Sequence, residues 1–153
     1  MPSPKTDSPV SAPFFSLPMT VPFQHIDAAG IVFFARVFDY FHDAFVACMH
    51  ARGLPLPQVL SRGEWGAPLA HAEADYQRPL RFGDQVRAEI VRAELGQTAL
   101  TLHHQIVSDD AARRVLCTGR TVHVFIDRAT GRPRPVPDEA RTVFSVAADA
   151  KAE

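Results

Sequence analysis

The amino-acid sequence predicts an α+β domain, one long buried helix set against an antiparallel sheet, and two patterns carry that prediction. Residues 31–52 keep polar Arg36, Asp39, Asp43 and His50 on one narrow stripe and are apolar around most of the remaining circumference, the signature of a helix buried on several sides. Beyond residue 69, apolar and polar side chains alternate with period two in short stretches separated by Gly- and Pro-containing turns, the signature of half-buried strands. A helix this apolar and strands with one apolar face bury each other when stacked in two layers.

In chain order, residues 14–24, with Phe14, Phe15, Leu17, Val21 and Phe23, read as a first strand or extended entry. Pro18 and Pro22 put it at a sheet edge or a bend. The long helix follows from Ile31 to about Arg52; Gly53 stops it, and Pro55 and Pro57 prevent its continuation. Residues 57–63 suit a short connecting helix. Ala70, Ala72, Ala74 and Tyr76 then alternate with His71, Glu73 and Asp75, which gives a strand with one face small enough to sit close to a helix. Val86, Ala88 and Ile90 alternate with Arg87 and Glu89, Gly96-Gln97 reads as a hairpin turn, and Leu100, Leu102 and Ile106 face opposite Thr101, His103 and Gln105. The last long strand is centred on Val115 to Ile126, a turn around Gly131 follows, and residues 137–144 suit a short terminal helix.

A chain of 153 residues with this pattern is expected to hold one domain, at 14–145, between a Pro- and Ser-rich disordered tail at 1–13 and a short C-terminal tail at 146–153. The formal net charge of −1 and the scattered Lys and Arg give no basic field for nucleic acid. No apolar run is long enough to span a membrane. Cys48 and Cys117 lack the spacing of a metal or redox pair and fall in helical and strand patterns, as small apolar side chains in a reducing cytoplasm would.

The stretch richest in chemistry is His25-Ile26-Asp27-Ala28-Ala29-Gly30-Ile31-Val32-Phe33-Phe34, one carboxylate ahead of a tight turn and the long helix. Unpaired N–H groups at a helix start can polarise a carbonyl, and a carboxylate beside them can attack it or activate water. Gly30 is where backbone and ligand can approach closely. The same residues also suit a plain helix cap, with Asp27 satisfying the first amides.

Asp27-Ala28-Ala29-Gly30-Ile31-Val32-Phe33-Phe34-Ala35 resembles the active-site signature of the 4-hydroxybenzoyl-CoA thioesterase branch of the hotdog-fold enzymes, and in particular that of the 1,4-dihydroxy-2-naphthoyl-CoA hydrolases. The likeness continues through Phe41-His42-Asp43-Ala44-Phe45, His71-Ala72-Glu73-Ala74-Asp75-Tyr76-Gln77-Arg78-Pro79 and Phe82-Gly83-Asp84, where it speaks more for the fold than for the reaction. The resemblance implies a hotdog fold, a long central helix wrapped by a curved antiparallel sheet. It also implies hydrolysis of an acyl-CoA thioester with an aromatic acyl group, in a homodimer or a dimer of dimers. Asp27 would be nucleophile or general base, the backbone N–H of Phe34 the carbonyl-polarising donor and His25 a weaker catalytic candidate. Apart from the resemblance, CoA phosphates need cations, for which Arg113, Arg114 and Arg120 are candidates with plain surface arginine as the alternative, and Phe33, near the helix start, is a ring that could reach an acyl group.

His42, on one helical face with Phe38, Phe45 and Met49, reads as a hydrogen-bonded core histidine. His71, Glu73 and Asp75 share a strand face that reads as a polar sheet face, so no metal is expected, and no cofactor beyond the CoA of the substrate. Glu64 beside Trp65 is a secondary acid candidate. Two rival functions fit the same pattern: a thioesterase for short acyl-CoA or acyl-carrier-protein thioesters, and a non-catalytic acyl-CoA-binding module in which Asp27 only caps the helix.

Overall fold

In the computed structural model, which describes residues 12–145, the apolar alternation of the second half of the chain becomes the concave face of a sheet. Strand β1 (Phe15–Thr20) is followed by a single 3-10 turn (Phe23–His25), helix α1 (Arg36–Ala51), helix α2 (Leu56–Arg62) and the short β2 (Trp65–Gly66). Then come β3 (Leu69–Tyr76), β4 (Gln85–Leu95), β5 (Ala99–Ser108), β6 (Val115–Val124), β7 (Ile126–Asp127) and helix α3 (Asp138–Phe144). Five strands form one antiparallel sheet in the order β1-β4-β5-β6-β3, and β2 pairs with β7 in a small second sheet. The tails expected at 1–13 and 146–153 lie outside the described residues, apart from Ala12 and Pro13.

The sheet curves because it is bulged. Pairing shifts register between Leu69 and His71 in β3, between Ile90 and Arg92 in β4, and between Ile106 and Val107 where β5 meets β6. Each extra residue bends its strand and increases the local twist. Into the resulting concavity α1 sets Tyr40, Phe41, Ala44, Phe45, Cys48 and Met49, all buried, against Val86, Ala88 and Ile90 of β4, Leu100, Leu102 and Ile106 of β5, and Cys117 of β6. Each large apolar side chain taken fully out of water here contributes about 1.5–3 kcal/mol. This is the hotdog arrangement, a helix wrapped by a curved antiparallel sheet.

Gly119, in the middle of β6, lies under the ring of Phe41, and a Cβ built there would collide with that ring and with the carbonyl oxygen of Glu73. The helix therefore approaches the sheet more closely than a side chain at 119 would allow. His104 of β5 stacks on the other side of the contact, 4.5 Å from the Phe41 ring centroid and nearly parallel to it. Its Nε2 meets Thr121 Oγ1 at 2.8 Å, while Nδ1 is sealed without a partner among the described residues.

Several expectations shift at their edges. The long helix begins at Arg36 rather than Ile31, because residues 31–35 are committed to bonds with the preceding loop and with the chain after β3. The first strand stops at Thr20, and Pro22 starts the 3-10 turn instead. The last strand breaks at Phe125, whose ring packs on Trp65, before resuming as β7. Of the small-residue face of β3, only Ala74 packs on the core, and Ala70 and Ala72 are exposed on an edge strand.

Burial first, then the neighbouring His123 and His103, hold the His104 imidazole down from 6.5 to about 3. The unfolded chain takes up this proton as the pH falls below its ordinary value, whereas the fold refuses it until about pH 3, so stability present above pH 6.5 is lost progressively between those limits. Urea unfolding at pH 7.5 and 5 should show a wild-type loss larger by about 2 kcal/mol than that of His104→Gln, which cannot titrate. Equal losses in the two proteins would mean that His104 is not held neutral.

Candidate active site

The loop from His25 to Ala35 is closed by backbone bonds before any side chain acts. Phe33 N donates to His25 O at 2.9 Å, Asp27 N to Ile31 O at 2.9 Å, and Gly30 N to Asp27 O at 3.0 Å. Val32 N donates to Leu80 O at 2.8 Å and ties the loop to the segment following β3. Gly30 sits at φ +80°, where a Cβ is disfavoured, and this backbone conformation is what the turn demands of it. A Cβ at Gly30 would meet no protein atom within 4 Å, so within the protein it is the conformation and not the packing that calls for glycine here.

Asp27 does not cap the helix. The N-cap of α1 is Ala35, which makes no side-chain capping bond, and Asp27 Oδ1 instead accepts the N–H of Ala29 at 2.8 Å, an Asx turn inside its own loop. The first helical amides turn back on themselves in 3-10 fashion, Arg36 N to Phe33 O at 2.9 Å, Val37 N to Phe34 O at 3.4 Å and Phe38 N to Ala35 O at 3.2 Å. Among the described residues, the N–H of Phe34, just ahead of this turn, has no acceptor. It lies beside the positive end of the α1 dipole.

Asp27 and Phe34 line one cleft of about 360 Å³. Its other walls are Ile31, Val32 and Val37 from the helix entry, and Tyr76, Gln77, Arg78, Pro79 and Leu80 from the end of β3 and the chain beyond it. The Tyr76 hydroxyl donates to Phe34 O at 2.7 Å, and burial raises the phenol above its ordinary value, so it stays a donor and holds residue 34 in place. A thioester carbonyl seated here would have a carboxylate on one side and an uncommitted amide on the other, the two groups acyl hydrolysis requires.

The remaining candidates separate. His25 does not line the cleft; its Nδ1 meets the hydroxyl of buried Tyr40 at 2.8 Å, which pins the 3-10 turn to α1. Phe33 is half exposed and pairs with the Phe34 ring at 4.8 Å. Arg113, in the β5–β6 turn, donates to Glu89, whose carboxylate is fully buried and is also bonded by Ser16 and Gln105. Arg120 is bidentate on Glu73, which also meets His71, so that polar face of β3 is an ion-paired surface. Arg114 donates only its backbone N–H, to Ser108 Oγ, among the bonds of that turn. Arg78 and Tyr76 are the cleft residues sequence reasoning passed over: both stood in a quoted motif, where they read as fold markers.

A second cavity, of about 480 Å³, lies on the other flank of α1, between that helix, α2, β6 and α3. His42 borders it rather than filling the core: the residue is exposed, its ring is tilted against that of Phe45 with 6.0 Å between centroids, and it has no hydrogen-bond partner among the described residues. The walls are otherwise mostly aromatic and aliphatic, with Phe38, Phe45, Trp65 and Phe125 among them.

A carboxylate and a free amide in one cleft at the entry of a wrapped helix are suited to thioester hydrolysis. Residues 21–144 match the profile of the thioesterase-like superfamily, and the chain belongs to it. Within that family it is similar to a 1,4-dihydroxy-2-naphthoyl-CoA hydrolase of Synechococcus elongatus, 30% identical over 83% of this chain and 92% of the relative. The corresponding hydrolase of Nostoc punctiforme is 29% identical over 82% of each chain. The fold superposes on a 1,4-dihydroxy-2-naphthoyl-CoA thioesterase from Synechocystis with a TM-score of 0.81, at 22% identity over 86% of this chain and 96% of that one. A gentisyl-coenzyme A thioesterase gives a TM-score of 0.73 at 24% identity, over 85% and 98% of the two chains. The protein is an acyl-CoA thioesterase of the hotdog type. No helix among the described residues is long and apolar enough to cross a membrane.

Proposed function

We propose that the protein hydrolyses aryl-CoA thioesters, with Asp27 attacking the carbonyl or activating the water that does, and with the Phe34 N–H holding the developing oxyanion. The observation that carries this reading is the meeting of that carboxylate and that uncommitted amide in one cleft. The aromatic acyl group is supported by the names of the similar hydrolases and by the rings around the second cavity. Gly30 serves by shaping the Asp27 turn, and Arg78, at the cleft wall, is the cation placed to meet an anionic part of the substrate.

The working unit in this reading is a homodimer. Strand β3 is an edge strand exposed along nearly all its length, with Leu69 54% and Tyr76 49% accessible, and an unpaired edge of this kind invites a second copy. Antiparallel pairing of β3 with itself about its midpoint sets Leu69 of one copy opposite Tyr76 of the other. Leu69 borders the second cavity and Tyr76 borders the Asp27 cleft, so the cavity of each protomer would open onto the carboxylate of its partner. Asp27 and an aromatic chamber then belong to one composite site.

Three expected outcomes follow from this reading. Asp27→Asn, which keeps the turn but removes the charge, should lose on the order of 10²–10⁴ in turnover with its thermal midpoint nearly unchanged. Full activity in that variant sinks the catalytic assignment. Benzoyl-, hydroxybenzoyl- and dihydroxynaphthoyl-CoA should exceed acetyl-CoA by more than about tenfold in kcat/KM, about 1.4 kcal/mol of transition-state discrimination. Equal efficiency with acetyl- or butyryl-CoA removes the aromatic assignment and leaves the thioesterase standing. Light scattering over a dilution series should show a dimer down to assay concentrations, and an active monomer would contradict the composite site.

A further inference from the structure

The second cavity has one side chain whose hydrogen-bonding state is settled by its neighbours. His123 of β6 is 6% exposed and borders the cavity, with its ring stacked on Phe45 at 4.6 Å and 16°. Its Nδ1 lies 3.0 Å from the carbonyl oxygen of Ala67. A carbonyl oxygen only accepts, so Nδ1 carries the hydrogen. Burial lowers the affinity of the ring for a second proton and outweighs the opposing pull of the Ala67 carbonyl, with His42 adding to the lowering, which leaves the imidazole neutral.

The tautomer then follows: Nε2 bears a lone pair and no hydrogen. No partner for Nε2 exists among the described residues. The one side-chain nitrogen or oxygen there that is sealed without a partner is His104 Nδ1, so His123 Nε2 keeps contact with open space, and the space its ring borders is the cavity. Thr121, which also faces that space, already has its hydroxyl engaged by His104. His123 is thus a fixed acceptor with no donor function, set among Phe38, Phe45, Trp65 and Phe125, whose faces suit a flat ring.

We propose that His123 is a specificity-determining residue, its Nε2 accepting a hydrogen bond from a hydroxyl on the aromatic ring of the acyl group and so favouring hydroxyaryl-CoA over unsubstituted aryl-CoA. This rests on the aryl-CoA reading above and deepens it. An acceptor buried in an apolar chamber rewards a ligand that brings a donor and penalises one that leaves it dry.

The test compares 4-hydroxybenzoyl-CoA with benzoyl-CoA on the full-length protein. Wild type should prefer the hydroxylated substrate by on the order of tenfold in kcat/KM. His123→Phe, which keeps the ring stack and loses the acceptor, should bring the ratio close to one. His123→Gln, which retains an acceptor oxygen, should keep part of the preference. The ratio is internal to each variant, so a general loss of active protein does not mimic the effect. A binding measurement with His123 left in place stands beside it: with the Asp27→Asn protein and ¹⁵N-labelled histidine, 4-hydroxybenzoyl-CoA should move the His123 Nε2 resonance and benzoyl-CoA should not. An unchanged ratio in His123→Phe, or equal shifts with both ligands, overturns the proposal while aryl-CoA turnover still stands. If neither aryl-CoA outpaces acetyl-CoA, the aryl reading itself has failed and the role of His123 falls with it.

Discussion

The close approach of α1 to the sheet, with Phe41 seated over Gly119, is the constraint on which the rest of the structure depends. It fixes where the start of the helix lies, and the loop from His25 to Ala35 is tied to that helix, to the end of β3 and to the chain beyond it. Tyr40, fully buried, holds His25; the Val32 amide holds the chain after β3; the Tyr76 hydroxyl holds the carbonyl of Phe34. The loop that carries Asp27 enters the core through Val32, with Ile26 packed against it, and Asp27 itself lies outside. Held in this way, the carboxylate lines the cleft with only the Ala29 amide as a hydrogen-bond partner among the described residues.

The charges of the molecule are sorted by the same geometry. On the outer face of the sheet, Glu89 is buried and answered by Arg113, Ser16 and Gln105, and Arg87 reaches both Ser16 and Asp109. On the exposed face of β3, Glu73 takes up Arg120 and His71. A buried carboxylate left without such partners would cost several kcal/mol, so Arg113, beside the fully buried carboxylate of Glu89, is a structural necessity before it is anything else. On the concave side no charge is buried among the described residues: the two deep histidines, His104 and His123, are held neutral, and the polarity they offer is that of hydrogen bonds alone.

What could be read from the chain divides along the same line. The apolar stripe of α1 and the alternation of β4 and β5 are local patterns, so residues such as Phe41, Val86 and Leu102 were placed correctly by periodicity. Asp27 and Phe34 came from a motif, and the structure does bring them into one cleft. The helix start was misplaced by five residues, because Ile31 and Val32 look helical but are committed to long-range backbone bonds that no pattern announces. The arginines failed for a related reason: whether Arg113 meets a ligand or Glu89 depends on a pairing 24 residues away, while Arg78 reached the cleft through the turn after β3. His123 and His104 sit in ordinary strand alternation, and only the packing on Phe45 and Phe41 sets them apart.

The burial of both cysteines gives the protein a chemically quiet surface. Neither Cys48 nor Cys117 is in a disulfide, both lie in the core, and burial pushes the Cys117 thiol up to about 12, far from the thiolate that alkylating reagents and metals require. A single cysteine introduced on the exposed edge of β3, at Ala72 for instance, would therefore be the one reactive thiol of the folded chain. The native sequence is already a background for site-directed labelling, and distances between such labels would report whether two copies of the strand meet, without removing any residue the core needs.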